Sequence, residues 1–381
     1  MKKKRSLQQS GVLDILSALL AIFIGLLIGS IILYIMKPEK AMWGIERILT
    51  RGFKDIKTLA KVLYQAAPLV CTGLSVGFAF KTGLFNIGAT GQYTVGAFFA
   101  LTAAIEFQLP WYVALLFAMV GGAIWGAIPG ICKALYNVNE VITSIMFNWI
   151  GMYAVNMAIT NMPKMLVNFW TKSPIKDRTA PLKDANLSGI LPKMGLDELM
   201  NSRFINIGIF LAIIIAVVVW VILQKTTFGY EVKACGLNRN ASEYAGINAK
   251  RNIILSMSIA GALAGLGGGI YFLSGTAQYT LEKVLLEAGF NGIPVALLAS
   301  NHPLGIVLSA FFISYIQVGG SYLQPHFISE NIEIIIASII YLSAFSLLMK
   351  GRISKLFSKK ESKSAVANLS TNTPTKEDSS C

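Results

Sequence analysis

Charged residues are scarce in this sequence, since Asp, Glu, Lys and Arg make up 14% of its 381 residues, whereas hydrophobic residues make up 54%. An ordinary soluble domain carries about 25% charged residues. The shortage of charge argues against a water-soluble chain and indicates that lipid surrounds most of it.

Ligands for a metal or redox centre are also lacking. The four cysteines, Cys71, Cys132, Cys235 and Cys381, are widely scattered, with no CxxC pair and no neighbouring histidine. Structural metal cages place such ligands a few residues apart. We therefore expect free thiols, no bound metal and no cofactor.

The motifs of two enzyme classes are absent or incomplete. No GxxxxGK[ST] loop occurs, so the chain is not expected to bind ATP itself. The segment 73–77 matches GxSxG, but the only histidines, His302 and His326, lie at ends of predicted spans on opposite membrane faces. Neither readily supplies the base that a serine nucleophile needs, so no catalytic residue is predicted.

Basic residues flank the apolar runs. The formal net charge is +14, but lysine and arginine cluster at the termini and in the connecting segments. No element carries a basic stripe with interleaved aromatic residues. This distribution is typical of cations beside a membrane, and no nucleic-acid partner is predicted.

Long apolar runs predict an all-α fold, a polytopic transmembrane bundle of about ten helices. Runs of about 17 to 25 residues are long enough to cross the hydrocarbon core. The predicted spans cover residues 12–36, 58–80, 83–105, 111–133, 141–160, 206–224, 253–274, 284–300, 304–322 and 331–349.

The ends of the chain predict its orientation. Ten spans would leave both termini on one side, and the basic clusters at 2–5 and 350–360 make that side cytoplasmic. We expect a basic cytoplasmic N-terminus, a transmembrane domain and a disordered cytoplasmic tail, which cover residues 1–11, 12–350 and 351–381 respectively. The basic segment 225–252 then lies inside, and the proline-containing segment 161–205 is an irregular external loop.

Two polar stripes interrupt the apolar runs at helical spacing. The first comprises Asn86, Thr90, Tyr93 and Thr94, and the second comprises Glu140, Ser144, Asn148 and Gly151. Because polar side chains facing lipid are costly, both stripes are expected to face protein or a water-filled path. Hydrogen bonding that only joins helices is an equal alternative, and Glu140 could reach water at the cytoplasmic edge.

Pro294 predicts a helix break near Glu287 and Asn291, because proline removes a backbone donor and frees a carbonyl. Broken helices in transporters often border the substrate cavity, but a kink that only shapes packing is the commoner event and is favoured here. The break and the stripes together yield five candidates for a substrate pathway, which are Asn86, Thr90, Glu140, Asn148 and Asn291. The segment 289–294 weakly echoes 83–88, through an internal repeat or through chance.

Three glycines spaced by four residues, Gly261, Gly265 and Gly269, lie within one predicted span. This spacing lets helix backbones approach closely. We interpret them as helix-packing residues.

The segment 227–248 is too polar to span the membrane and too rich in small residues for a plain linker. Asn238 or Asn240 can cap a short helix, on which Ala241, Ala245 and Gly246 would form a low-relief face for the groove of another protein. On composition alone, an ordinary structured loop is the better interpretation.

The amino-acid sequence of this segment resembles the coupling segment of ABC-importer permeases of the branched-chain amino acid, ribose and nucleoside class. Three further segments, 83–92, 139–148 and 289–305, are similar to the simple-sugar and nucleoside branch of that class. The similarity covers roughly residues 58–350, and Thr90 and Asn240 stand where the common pattern can have a charged residue.

The resemblance implies a permease subunit of an ATP-driven importer in a bacterial cell membrane. Its implied partners are two ABC ATPase subunits, a second related permease and an extracytoplasmic substrate-binding lipoprotein, and its implied substrate is a nucleoside. The ATPase-coupling residues would be Gly229, Gly236, Asn238, Ala241 and Gly246. A simple sugar is the alternative substrate. An ion-coupled carrier is the alternative mechanism, and it would need a site such as Glu140, Glu287 or Glu333.

Overall fold

A computed structural model describes residues 2–324 and 326–344, with the side chains of 2–18, 329, 343 and 344 left aside. Within this part of the chain the ordered elements are helices, joined by turns and two isolated β-bridges. The α-helices are α1 (Lys2–Met36), α2 (Pro38–Lys54), α3 (Ile56–Lys81), α4 (Ala89–Leu101), α5 (Trp111–Tyr136), α6 (Glu140–Thr160), α7 (Leu182–Ala185), α8 (Leu196–Leu199), α9 (Gly208–Lys225), α10 (Thr227–Leu237), α11 (Arg239–Tyr244), α12 (Ala249–Phe272), α13 (Glu287–Phe290), α14 (Gly292–Leu298), α15 (Pro303–Ser321) and α16 (Ser329–Ala344).

Seven helices in the described residues are long and apolar enough to cross a membrane, namely α1, α3, α5, α6, α9, α12 and α15. The all-helical, multi-pass prediction is therefore confirmed, while the count of ten and the cytoplasmic termini stay predictions. The last residues of the predicted span 331–349, the tail 351–381 and Cys381 lie outside the described part of the chain.

The predicted span 83–105 does not begin as a helix. Residues 83–88 form turns and irregular backbone, and α4 begins at Ala89 and continues through a π-helical turn, Thr102–Glu106. Gly83 adopts φ +74°, a left-handed conformation that few residues other than glycine accept readily. Asn86 therefore precedes the helix on which the first polar stripe had placed it.

The predicted span 284–300 is also not one helix. It consists of α13 and α14, which meet at Asn291. Pro294 lies in the first turn of α14, where its missing N–H has no helical partner to lose. Proline thus lies in the first turn of the second short helix, instead of kinking a long one.

The glycine-rich helix α12 lies at the centre of the bundle, against α3, α4 and α5. A Cβ atom added at Gly265 would lie 3.0 Å from Cα of Gly122 on α5 and would clash with the Ala118 carbonyl. A Cβ added at Gly261 would meet the Gly122 backbone in the same way, and one at Gly269 would lie 2.9 Å from Cβ of Ala118. All three glycines therefore face α5, and at Gly261 and Gly265 the backbones of the two helices touch.

A second apolar cluster joins α1, α2, α15 and α16 at one side of the bundle. A Cβ atom at Gly25 of α1 would lie 2.7 Å from the carbonyl oxygen of Ile339 on α16. The hydroxyl of Tyr315 on α15 donates to the carbonyl of Leu49 on α2. The first two helices consequently hold the last two in place.

The segment 161–205 is joined to residues 273–286. The N–H of Thr179 donates to the carbonyl of Tyr279 at 2.9 Å, and the N–H of Leu281 donates to the carbonyl of Asp177 at 2.8 Å. The Tyr279 hydroxyl donates to Oδ1 of Asn156 at 3.1 Å, and burial raises the pKa of Tyr279 to about 12. The segment is therefore a folded cap whose pieces are mostly short turns and single-turn helices.

The central glycine contact can be tested with Gly265→Val. The added side chain must push α12 away from α5, and overpacking of this kind costs about 1–3 kcal/mol. We expect a lower midpoint of thermal unfolding in detergent, followed by intrinsic fluorescence. Ala262→Val, on a partly exposed face of the same helix, is the matched control. Equal midpoints for the two variants would contradict the contact.

Candidate functional site

The helix break at residues 83–88 folds back onto the middle of α3. The Asn86 side chain donates from Nδ2 to Oγ of Ser75 at 3.0 Å and to Oε1 of Gln92 at 2.8 Å. Gln92 returns a hydrogen bond from Nε2 to Oδ1 of Asn86 at 3.1 Å. All three side chains are buried. This amide pair satisfies polar groups that the interrupted helix leaves without water.

Helix α6 is attached to the same break through Asn148. Its Nδ2 donates to the carbonyl of Ile87 at 3.1 Å, and its Oδ1 accepts from the N–H of Gly91 at 2.8 Å. The nearby hydroxyls of Thr90 and Ser144 are buried without a hydrogen-bond partner among the described residues. Asn86 and Thr90 of the first predicted stripe and Ser144 and Asn148 of the second thus lie in one buried polar cluster.

The break at α13 and α14 packs directly against this cluster. A Cβ atom at Gly289 would lie 2.6 Å from the backbone nitrogen of Thr90 on α4. A Cβ atom at Gly292 would lie 2.7 Å from the carbonyl of Thr72 on α3. The segment 289–294 therefore packs against α3 and α4 at backbone contact, because Gly289 and Gly292 carry no side chain there.

A cavity of about 840 Å³ ends at the second break. This volume falls in the range of small-molecule sites, about 300–1,000 Å³. Its walls come from α3, α4, the end of α12, the segment 286–291, α15 and α16. The lining residues are Gln65, Pro68, Leu69, Tyr93, Tyr271, Phe272, Leu286, Glu287, Ala288, Phe290, Asn291, Gln317, Glu330, Glu333, Ile334, Ile336, Ala337, Ile340 and Tyr341.

One wall of the cavity is aromatic. The rings of Tyr271 and Phe272 meet edge to face with centroids 5.0 Å apart, and Tyr64 stacks on Tyr271 from behind at 5.4 Å. Tyr93 approaches Phe272 at 6.4 Å. Because Tyr93 and Phe272 are only 1% and 3% exposed, Tyr271 is the ring of this group that a planar ligand in the cavity can reach.

Only one of the five pathway candidates lines the cavity, and it is Asn291. Asn86, Thr90 and Asn148 lie buried behind Gly289, and their role in a pathway stays a prediction. Glu140 lies apart from them, at the junction of α5 and α6, where it pairs with Nζ of Lys133 at 2.9 Å.

Sequence reasoning did not select Gln65, Tyr271, Gln317 or Glu330, and it named Glu333 only as a possible ion site. The polar side chains of Gln65, Gln317, Glu330 and Glu333 within apolar runs were the available signal. That signal does not say which polar positions share one cavity.

The segment 227–248 forms α10 and α11, each with a capped start. Oγ1 of Thr226 accepts from the N–H of Gly229 at 3.1 Å, and Oδ1 of Asn238 accepts from the N–H of Ala241 at 3.0 Å. Leu237 is 89% exposed and Tyr244 is 94% exposed. Large apolar side chains held out on short capped helices are typical of a surface for another protein.

This surface is connected to the first helix break. A Cβ atom at Gly236 would lie 2.9 Å from the backbone nitrogen of Gly83 and would clash with the carbonyl of Lys81. Gly229 likewise abuts the end of α9 at Leu223, whereas Gly246 has φ +82° and open space around it. A displacement of α10 must therefore move residue 83 or separate two touching backbones.

Comparisons with known proteins show which family this sequence matches. The family model of the permease component of branched-chain amino acid transport systems matches residues 58–345. The nucleoside ABC transporter permease protein NupB of Lactococcus lactis is 36% identical over 352 residues, which cover 90% of this chain and 93% of the relative. The guanosine ABC transporter permease protein NupP of Bacillus subtilis is 35% identical over 349 residues, covering 90% and 96%.

A third relative is the glucose ABC transporter permease protein TsgB13 of Haloferax volcanii, 31% identical over 283 residues, which cover 71% of this chain and 70% of the relative. No solved structure matches the chain significantly.

The buried cluster predicts the effect of Asn148→Leu. The substitution leaves the N–H of Gly91 and the carbonyl of Ile87 unpartnered, at about 1–3 kcal/mol for each buried group. We expect faster amide hydrogen exchange across residues 83–94, measured by mass spectrometry. Asn161→Leu, at the exposed end of α6, should leave that exchange unchanged. Unaltered exchange in the Asn148→Leu protein would argue against the cluster as the support of this break.

Proposed function

Since this chain belongs to the family of permease components of branched-chain amino acid transport systems, we propose that it is the membrane subunit of an ATP-driven importer of nucleosides. The observation that carries the substrate class is the similarity to relatives named for nucleosides and guanosine along nine-tenths of the chain. The aromatic cavity supports it, because the planar base of a nucleoside stacks on such walls.

The cavity is the proposed outer half of the substrate path, and the buried cluster of Asn86, Thr90 and Asn148 is the proposed inner half. Gly289 against Thr90 closes the passage between them in this conformation. A pathway through this contact would open when α13 moves away from α4. The unpartnered hydroxyls of Thr90 and Ser144 would then meet water or substrate.

The surface of α10 and α11 is the proposed docking site of ABC ATPase subunits, which would hydrolyse the ATP. Leu237 and Tyr244 supply exposed anchors, and Asn238 and Ala241 shape the short helix that presents Tyr244. Movement of α10 would reach the first break through Gly236 and Gly83. Binding of ATP to the partners can shift the path only by favouring one of its two states.

Further partners are assigned to exposed surfaces of the chain. The apolar outer faces of α5, α6 and α9 suit lipid and a second related permease. The folded cap at 161–205 is the proposed external surface for a binding lipoprotein. The membrane is taken to be a bacterial cytoplasmic membrane.

The proposed topology has ten crossings with both termini inside. The seven long helices are joined by three further crossings, which are α4 with its π-turn, the segment 284–300 and α16. The contacts at the two ends of residues 282–301 support the second of these crossings. At one end, beside the cap, the carbonyl of Glu282 accepts from Asn156. At the other end, Asn301 packs near Gly77 of α3. The N-terminus, the transmembrane permease domain and the tail keep the boundaries predicted at 1–11, 12–350 and 351–381.

A simple sugar is the second candidate substrate, because one relative is named for glucose. A sugar lacks the planar base that the aromatic wall would stack. Competition for uptake therefore separates the two candidates.

Uptake into proteoliposomes containing the complete importer tests the proposal. We expect ATP-dependent accumulation of radiolabelled guanosine that other nucleosides, but not ribose or glucose, inhibit. The double substitution Leu237→Asp with Tyr244→Asp places charges in the docking surface and should weaken ATPase co-purification at least about tenfold.

Uptake should fall with that loss, while Leu187→Asp, an exposed change in the cap, leaves ATPase co-purification unaffected. Sugar-inhibited uptake would favour the second candidate, and full ATPase association in the double variant would contradict the docking surface.

The orientation can be tested at Tyr244. The native thiol of Cys235 is only 7% exposed and contacts Ser242, so it is a poor labelling site. The Tyr244→Cys variant should react with an impermeant maleimide in inverted vesicles and not in intact cells. Leu187→Cys should show the opposite pattern. Labelling of Tyr244→Cys from outside would overturn both the topology and the importer assignment.

A further inference from the structure

The polar lining of the cavity includes three side chains that, when ionised, only accept hydrogen bonds. Three carboxylates line it, those of Glu287, Glu330 and Glu333, and all three residues are exposed to solvent space. No lysine, arginine or histidine occurs among the described residues of the lining. The charged side chains in the described lining of the cavity are therefore all acidic.

These carboxylates are not used by ion pairs of the described residues. The acidic partners in those pairs are Glu106, Glu140, Asp177, Asp197 and Glu243. Glu287 and Glu330 lie in the first turns of α13 and α16, where a carboxylate favours the helix dipole. The dipole explains a position in the first turn, but it does not explain why both side chains share one cavity with Glu333.

An uncharged acceptor accompanies the three carboxylates. Gln65 lines the same cavity, and its Oε1 atom is buried with no hydrogen-bond partner among the described residues. A buried acceptor without a donor is costly, so such atoms in a cavity wall point to a ligand that brings donors. Glu287 stands one helical turn before Asn291, whose amide can also accept.

We propose that Glu287, Glu330 and Glu333 are specificity-determining residues that select unphosphorylated nucleosides over nucleoside phosphates. This inference rests on the proposed function. The hydroxyl and amino groups of a neutral nucleoside donate to carboxylates and to Gln65, while the base stacks on the aromatic wall. A phosphate ester carries about −1.5 to −2 charges and only acceptor oxygens at neutral pH, so the same lining repels it.

The charge of the cavity can be measured without any nucleoside. Ala337 lines the cavity one turn after Glu333, so the Ala337→Cys variant of the complete importer places a thiol beside two of the carboxylates. Proteoliposomes are treated from outside with a cationic or an anionic methanethiosulfonate, and the modified peptide is quantified by mass spectrometry. The reference is the ratio of cationic to anionic rates at Leu187→Cys in the cap.

Focusing of the field in a cleft raises local cation concentration about 10- to 1,000-fold. We expect the rate ratio at Ala337→Cys to exceed the reference at least about tenfold. Adding Glu330→Gln and Glu333→Gln should bring the ratio close to the reference, whereas Glu282→Gln, outside the lining, should not. A ratio equal to the reference in the otherwise unchanged importer would overturn the inference.

Selectivity between nucleoside and nucleotide is measured in the same variant, as protection of the thiol from modification. Guanosine should slow modification by the cationic reagent, and guanosine 5′-monophosphate should not do so until the three glutamates are replaced by glutamine. Equal protection by both compounds in the presence of the carboxylates would overturn the specificity role alone. Protection by neither compound, with the rate ratio still high, would instead contradict the nucleoside importer on which the inference rests.

Discussion

A backbone that leaves its helix inside a bilayer has no water to satisfy its amides and carbonyls. This constraint governs the centre of the molecule. The turns at 83–88 are held by the amides of Asn86, Gln92 and Asn148, and the break at Asn291 is pressed onto α3 and α4 by Gly289 and Gly292. Each break is supported by the helices beside it, so the two breaks and α3 form one mechanical unit.

Close backbone contacts connect the two breaks and α3 to both ends of the protein. Gly236 joins them to the exposed helices α10 and α11, and Gly289 joins them to the floor of the cavity. Neither contact leaves room for a side chain to rearrange. A change at the proposed docking surface would therefore be transmitted as displacement of backbone.

The cavity combines two chemistries that a small polar solute requires. Its aromatic wall offers dispersion and stacking, while the carboxylates and Gln65 offer acceptors. Helix α16, which carries Glu330 and Glu333, is held by α1 at Gly25. The first helix thus contributes to the site without touching it, since it fixes the wall in which two of the three charges stand.

The sequence alone determined the membrane class, the positions of most spans and the capped polar segment, because hydrophobicity, helical period and capping are properties of neighbouring residues. The span at 83–105 was predicted as one helix because its composition is apolar, and no local pattern reveals the tertiary hydrogen bonds that hold Asn86 outside the helix. The break within 284–300 was predicted from Pro294, and the structure places it at Asn291, just before α14. Only the tertiary structure decided which polar residues meet in the buried cluster and which line the cavity. Gln65, Tyr271, Glu287 and Glu333 are far apart along the chain, and their convergence depends on how glycine-lined helices approach one another in space.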